Sequence, residues 1–295
     1  MTDYTTVSAR AMLVTLTMSS WSARKLDKAV SREVNDAHAA SAKAGRYNKH
    51  LLAWAKEYKT LISRMVAARE AHYGQTLPWA DTGWRLLPTA NYLQYMDAMR
   101  KEFAAMDALR ADFMEAYPRL VDEAQRQHEA LGRLWQREDY PTARAMRAKF
   151  SWALEWRPVP SAGDIRVDLP GDQLDAIRAQ VEGRMRDLAA EAMAGAWARL
   201  HEAVARIRKA AGPDGIVRGT LVEHARETCD VLARLNVAQD ERLEAMRARV
   251  EHELAVLSVE DLRQDEAVRA DAARRAEDIM AAMGAFYAPP PADVA

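Results

Sequence analysis

One cysteine stands among 295 residues. Cys229 alone allows neither an intrachain disulfide framework nor a cysteine-based zinc site. It sits at helical spacing from Ala225 and Leu232, which predicts a small buried hydrophobe rather than a nucleophile. Glycine and proline are scarce, at 12 and 11, so loops should be few and elements long. No apolar run approaches the roughly 18 residues needed to cross a bilayer. The early stretch AMLVTLTMSSWSA has a short apolar core broken by threonine and preceded by Asp3. It predicts a strand rather than a secretory leader, and with it a cytoplasmic compartment. Lysine supplies only nine of the 42 basic residues. The arginine excess reads first as genome base composition and second as a nucleic-acid surface, since a net charge of −1 attracts no phosphate overall.

The common chemical signatures are missing as well. No two of the seven histidines, His38, His50, His72, His128, His201, His224 and His252, stand four apart, and His201-Glu202 lacks the second histidine of a zinc-protease motif. Neither glycine-rich nucleotide cradle occurs, nor does a serine nucleophile elbow. Most acids fall near arginine at ion-pair spacing on helix faces, which reads as solvated surface. The sequence therefore leans away from an enzyme, and it predicts no cofactor and no metal.

What is present is long-range helical periodicity with one interruption. In KFSWALEWRPVPSAGDIRVDL (149–169), Phe150, Trp152, Leu154 and Trp156 alternate with Ser151, Ala153, Glu155 and Arg157, the period of a strand with one face in a core. Pro158 and Pro160 stop it. Ile165, Val167 and Leu169 alternate again, predicting a hairpin over 150–157 and 165–169, with 12–18 as a third strand. A first helix is predicted from Ser22 to Tyr73, on the stripe Leu26, Val30, Val34, Leu51, Trp54, Tyr58, Leu61 and Met65. Gly45 would kink it and Gly74 would end it. Further helices are predicted from Tyr92 to Tyr117, with a restart at Pro118 running on through His128, Leu131 and Trp135. Another begins at Asp172 and runs about 40 residues to the Gly212-Pro213-Asp214-Gly215 turn. Thr220 with Glu223 forms a capping box for the next, and Asn236 breaks it. Leu243, Met246, Val250, Leu254 and Leu257 follow near coiled-coil spacing. Ser258 with Asp261 starts a last helix to Met283.

The segments are an N-terminal strand in 1–20, a helical region 21–138, a central hairpin 139–170, a helical region 171–287 and a disordered tail 288–295. The fold class is mainly α (α+β), with long antiparallel helices in an elongated bundle or coiled coil beside a small antiparallel sheet. Helix content should be about 70% or more, well above the usual third. The loop 75–91 carries Trp79, Asp81, Trp84 and Arg85, which read as a plug at the end of a bundle or as a partner-binding loop. Charge is uneven: residues 22–71 carry eleven basic and five acidic side chains, and residues 222–282 nine and fifteen. These segments could face each other within a subunit or between subunits, or the basic one could face nucleic acid through Arg24, Lys25, Lys28 and Arg32.

Several landmarks together resemble a family of uncharacterised phage and prophage proteins: LPWADTGWRLLPTANYLQY (77–95), YPRLVDEA (117–124), LGRLW (131–135) with DYP (139–141), KFSWALEWRPVPSAGDIRVDL (149–169) and, more weakly, LNVAQDERL (235–243). Members of that family look like genomic neighbours of MoxR- or CobS-type AAA ATPases and von Willebrand factor A-type proteins. The resemblance carries no activity onto any residue. It implies a phage accessory protein acting in the host cytoplasm by protein–protein interaction or assembly, as a homo-oligomer through its long helices and with an AAA ATPase as partner. The alternative is a nucleic-acid-binding accessory for phage replication, recombination or packaging. No membrane contact is implied.

Overall fold

In a computed structural model, residues 4–52, 54–80, 82–126, 131–165 and 170–288 are described. Ten helices and six strands follow one another among them. They are α1 (Tyr4–Arg10), β1 (Ala11–Ser19), β2 (Arg24–Asp27), α2 (Lys28–Ala37), β3 (Tyr47–His50), α3 (Lys56–Gly74), β4 (Leu77–Pro78), β5 (Arg85–Pro88) and α4 (Tyr92–Arg126). Then come α5 (Ala143–Arg147), β6 (Ser151–Pro158), α6 (Gly171–Ala211), α7 (Leu221–Leu235), α8 (Glu241–Glu253), α9 (Val259–Gln264) and α10 (Glu266–Met283). The chain is mainly helical, 65% helix and 11% strand, with a small antiparallel sheet. Helix content falls a little short of the expected figure. No helix among the described residues is long and apolar enough to cross a membrane.

The chain divides into two compact units. Unit 1 holds Met1–Thr15, Tyr73–Tyr95 and Glu155–Ala295; unit 2 holds Leu16–His72 and Met96–Leu154. One sheet has the strand order β4-β5-β1-β6, and a separate ribbon pairs β2 with β3. The strands expected at 12–18 and 150–157 both form. The expected hairpin does not account for the second of them: its neighbour in the sheet is β1. Ile165 lies outside any strand, and residues 166–169 lie outside the described residues, as does the tail from 289. The turn between them is a 3-10 turn, Ala162–Asp164, closed by a reciprocal Ser161/Asp164 capping box.

Unit 1 is built on α6. Its buried residues begin at Leu188 and recur as Ala192, Ala196, Leu200, Val204 and Ile207, one helical stripe that α7 and α10 cover. The glycine Gly195 lets β4 approach, since a Cβ there would lie 2.9 Å from the Pro78 ring. Thr220 precedes α7 but makes no side-chain cap bond, so the expected capping box is absent; its ψ of 3° differs from the extended backbone a cap needs. Pro170, not Asp172, precedes α6. The near-heptad run stops early, because α8 ends at Glu253 and Leu254 and Leu257 enter the turn that leads to Ser258, the cap of α9. Asp265 then caps a separate α10.

Unit 2 packs aromatic side chains between α3, α4 and the 131–150 segment. Trp21 meets Tyr58 and Tyr117 edge-on at 6.0 and 6.3 Å, and Phe113 meets Phe150 at 5.7 Å. Their hydroxyls donate inward, Tyr117 to the Pro141 carbonyl at 2.8 Å and Tyr140 to that of Leu51 at 3.2 Å. Pro118 does not restart α4; it sits inside one continuous helix of 35 residues. A proline costs a helix interior about 3 kcal/mol. Burial of Tyr117, Leu120, Val121 and Ala124 around it offsets that cost. Leu131 and Trp135 flank a 3-10 turn rather than extending the helix, and His128 lies outside the described residues.

Candidate nucleic-acid interface

The largest departure from the sequence reading is in unit 2. The single helix expected from Ser22 to Tyr73 is instead β2, α2, β3 and α3. Asp27 opens α2 by accepting the amides of Ala29 and Val30, both at 3.1 Å. The helix closes at Ala37, and Ala39 takes a φ of 49°. Asn35 is buried and donates to the Gly45 carbonyl at 3.2 Å. A Cβ on Gly45 would stand 2.8 Å from the Asn35 amide oxygen. Gly45 is thus a point of close backbone approach, not a helix kink. The Ser31 hydroxyl accepts the Tyr47 amide at 2.9 Å and donates to the Asp27 carbonyl, so α2 is tied to both strands.

The ribbon itself is antiparallel, with Arg24 opposite His50, Lys25 opposite Lys49, Leu26 opposite Asn48 and Asp27 opposite Tyr47. Opposed residues share a face. One face holds Lys49, only 2% exposed, whose ammonium lies 3.2 Å from Asp27 Oδ2 and 2.5 Å from Asp139 Oδ2. It also donates to the Leu134 carbonyl at 3.1 Å. Burial opposes the charge on Lys49, but the hydrogen bonds it donates to Asp139 and Asp27 and their field outweigh it and raise its pKa. A lysine held charged in this way is a clamp, not a general base. The opposite face presents Arg24, Leu26, Asn48 and His50, all exposed.

The four basic residues singled out from sequence fall together here. Arg24 and Lys25 are on β2, Lys28 and Arg32 lie one turn apart on α2, and all four are exposed. Lys43 and Arg46 join them on the exposed α2–β3 loop. None of the six forms an ion pair among the described residues; the only lysine paired in this stretch is Lys49. The exposed acids between residues 24 and 50 are Glu33 and Asp36. The arginines of unit 1 behave differently. Arg247 lies 2.7 Å from both Glu244 and Glu251, Arg249 2.8 Å from Glu253, and Arg234 2.9 Å from Asp230. Five of the fifteen acids of the 222–282 segment thus hold an arginine of their own helix, while the cations around the ribbon hold no carboxylate.

No protein-family model, curated protein or solved structure matches this chain.

The second candidate group, in the 75–91 loop of unit 1, has a structural role. Trp79 is only 4% exposed, within the core of unit 1. Trp84 is half-buried with the Arg157 guanidinium 4.4 Å above its ring. Asp81 lies outside the described residues. The Arg85 Nε donates to the Thr76 hydroxyl at 2.6 Å and its Nη2 to the Thr76 carbonyl at 3.0 Å, and its guanidinium covers the Tyr73 ring at 4.7 Å. Arg199 joins it, donating to the Gly74 and Tyr73 carbonyls at 2.8 and 2.7 Å and to that of Thr76. Burial, with Arg85 nearby, pushes Arg199 down to about 10. Two guanidiniums thus satisfy carbonyls at the end of α3 that have no intrahelical donor. The segment expected as a loop contains β4 and β5, with Leu77 opposite Leu86.

Cys229 is buried, and burial pushes its thiol up to about 11. No group of three or more metal-ligating side chains converges among the described residues. A cleft of about 690 Å3 in unit 1 lies between the end of α6 and the start of α7, with Arg206, Lys209, Arg218 and His224 on its walls. Arg206 is already paired with Glu202 at 2.5 Å and His224 with Glu227 at 3.4 Å.

Proposed function

We propose that this protein is a non-enzymatic accessory protein that acts by binding, and that nucleic acid is the partner its β2–α2–β3 surface fits. One observation carries the reading. Six exposed cations crowd one small module without a carboxylate partner, whereas eleven arginines elsewhere among the described residues hold one. Leaving like charges unpaired costs stability through self-repulsion, and an external polyanion removes that cost. The perturbed groups Lys49, Arg199 and Cys229 are held in structural contacts. The resemblance to phage and prophage proteins adds the setting: a phage-encoded accessory in the host cytoplasm, serving replication, recombination or packaging. Fluorescence anisotropy with labelled DNA tests it. Binding by the wild-type chain, lost in the Arg24→Ala, Lys25→Ala, Lys28→Ala, Arg32→Ala variant at an unchanged melting temperature, supports the reading. Equal binding by both proteins refutes the surface assigned.

A second reading is self-association or assembly with an AAA ATPase through the long helices, in an elongated bundle or coiled coil. The first four turns of α6 favour it: Leu174, Ile177 and Val181 form a stripe at helical spacing with Ile177 37% exposed. Light scattering of the chain alone, and of an Ile177→Asp, Val181→Asp variant, distinguishes the two. A wild-type monomer removes self-association.

A further inference from the structure

We propose that the β2–β3 ribbon enters the major groove of duplex DNA and reads base edges with Arg24 and Asn48. The inference rests on the nucleic-acid reading above and adds to it a form of nucleic acid, a groove and a division of labour among residues.

The argument starts from register. Because Arg24 pairs with His50 and Leu26 with Asn48, these four side chains project from one face. All four are exposed. The opposite face is anchored by Lys49 between Asp27 and Asp139. The outward face is therefore held in place from behind, and none of its side chains is needed for that anchorage. Base readout demands such a pre-organised surface, since ordering a loose one consumes binding energy.

Size agrees. Four residues per strand span about 14 Å, and the two strands lie about 4.8 Å apart. The B-form major groove, about 12 Å wide, admits a two-stranded ribbon. The deep, narrow major groove of A-form RNA does not admit side chains in this way.

The chemistry of the face agrees too. Arginine matches the O6 and N7 acceptors of guanine in a bidentate pair. Asparagine matches the N7 acceptor and N6 donor of adenine, and an aliphatic group such as Leu26 packs on the thymine methyl. The remaining cations sit around this face rather than on it. Lys28 and Arg32 are on α2, and Lys43 and Arg46 on the loop that returns to β3. Those positions suit phosphates, which set affinity and register but carry no sequence information.

The test uses the full chain. Selection from a duplex DNA pool with a randomised centre is followed by competition binding of the selected duplex against random duplex, single strand and duplex RNA. The wild type is expected to enrich a motif and to prefer the duplex DNA carrying it. An Arg24→Lys, Asn48→Ala variant keeps the net charge. It should bind random duplex within about twofold of wild type and lose preference for the motif by about tenfold or more. A Lys28→Ala, Arg32→Ala variant should weaken binding to every duplex alike and keep the preference. All substituted residues are exposed, so thermal melts should match the wild type. Binding without any enriched motif, a preference for single strand or duplex RNA, or a motif that survives Arg24→Lys, Asn48→Ala overturns groove reading and leaves general nucleic-acid binding standing. Absence of binding to any of these probes overturns both.

Discussion

Lys49 and Asp139, 90 residues apart in sequence, meet at 2.5 Å with their side chains 2% and 6% exposed. Asp27 closes the other side of the ammonium. Removing one member of a buried ion pair leaves an uncompensated charge, at about 3–5 kcal/mol. Asp139→Ala should cost that much in urea unfolding. A Lys49→Met, Asp139→Leu double variant should recover a good part of it. Equal losses in single and double variants would mean that the ion pair is not what the single variant disrupts.

The same cluster sets a pH window. The pKa of Lys49 is raised, so its contribution is full below the unfolded value of about 10.4 and is lost as pH rises through the folded value. That of Asp27 is lowered, first by the Val30 amide, with Lys49 also helping against burial. Its contribution is present above about 3.9 and is lost as pH falls through the folded value. Unfolding followed across pH should show the difference between wild type and Lys49→Met vanish at both ends and persist between them.

The two loop tryptophans separate by depth. Trp79, 4% exposed in the core of unit 1, should cost about 3–5 kcal/mol when replaced by alanine. Trp84 is half-buried beneath Arg157 and should cost about 1–2 kcal/mol, burial being partial and the cation–π contact worth about 0.5–1 kcal/mol. Thermal melts rank them; the reverse order would contradict the packing. The sequence offers both tryptophans as the plug of a bundle end. It could not show that Leu77 and Leu86 pair as strands, which places Trp79 in the core.

The strand β6 offers a third comparison. Phe150, just before it, is 2% exposed, whereas Trp156 is 37% exposed and leans on Tyr92 and Tyr95 at 5.9 and 6.1 Å. Phe150→Ala should cost about 3–5 kcal/mol and Trp156→Ala about 1 kcal/mol. The alternation was plain in the sequence, but it held only in part: Trp152 and Leu154 are half-buried and the face opens toward Trp156.

Long elements were legible because their periodicity persists. The stripe from Leu188 to Ile207 lies in one unbroken helix, and the β-prone run 12–18 forms β1. The stretch from 22 to 73 was not legible for a local reason. Leu26, Val30 and Val34 are spaced as one helical stripe, yet Leu26 and Val34 are 37% and 46% exposed and Leu26 is in β2. What breaks the helix is tertiary: the buried Asn35 amide against Gly45, and Lys49 reaching Asp139. The Asp27 cap was the one local signal available. The cationic candidates were visible as residues, but their gathering around a ribbon depends on that unread turn.

The most direct test of the account is the salt dependence of DNA binding. Five phosphate-contacting cations, Lys25, Lys28, Arg32, Lys43 and Arg46, give a slope of log K against log salt of about −4.5 for duplex, and neutralising Arg24, Lys25, Lys28 and Arg32 should flatten it to about −2. Titrations of both proteins over a range of salt concentrations measure it. A steep wild-type slope that flattens in the variant is the predicted result; a slope unchanged by the four substitutions, or no binding at low salt, contradicts it.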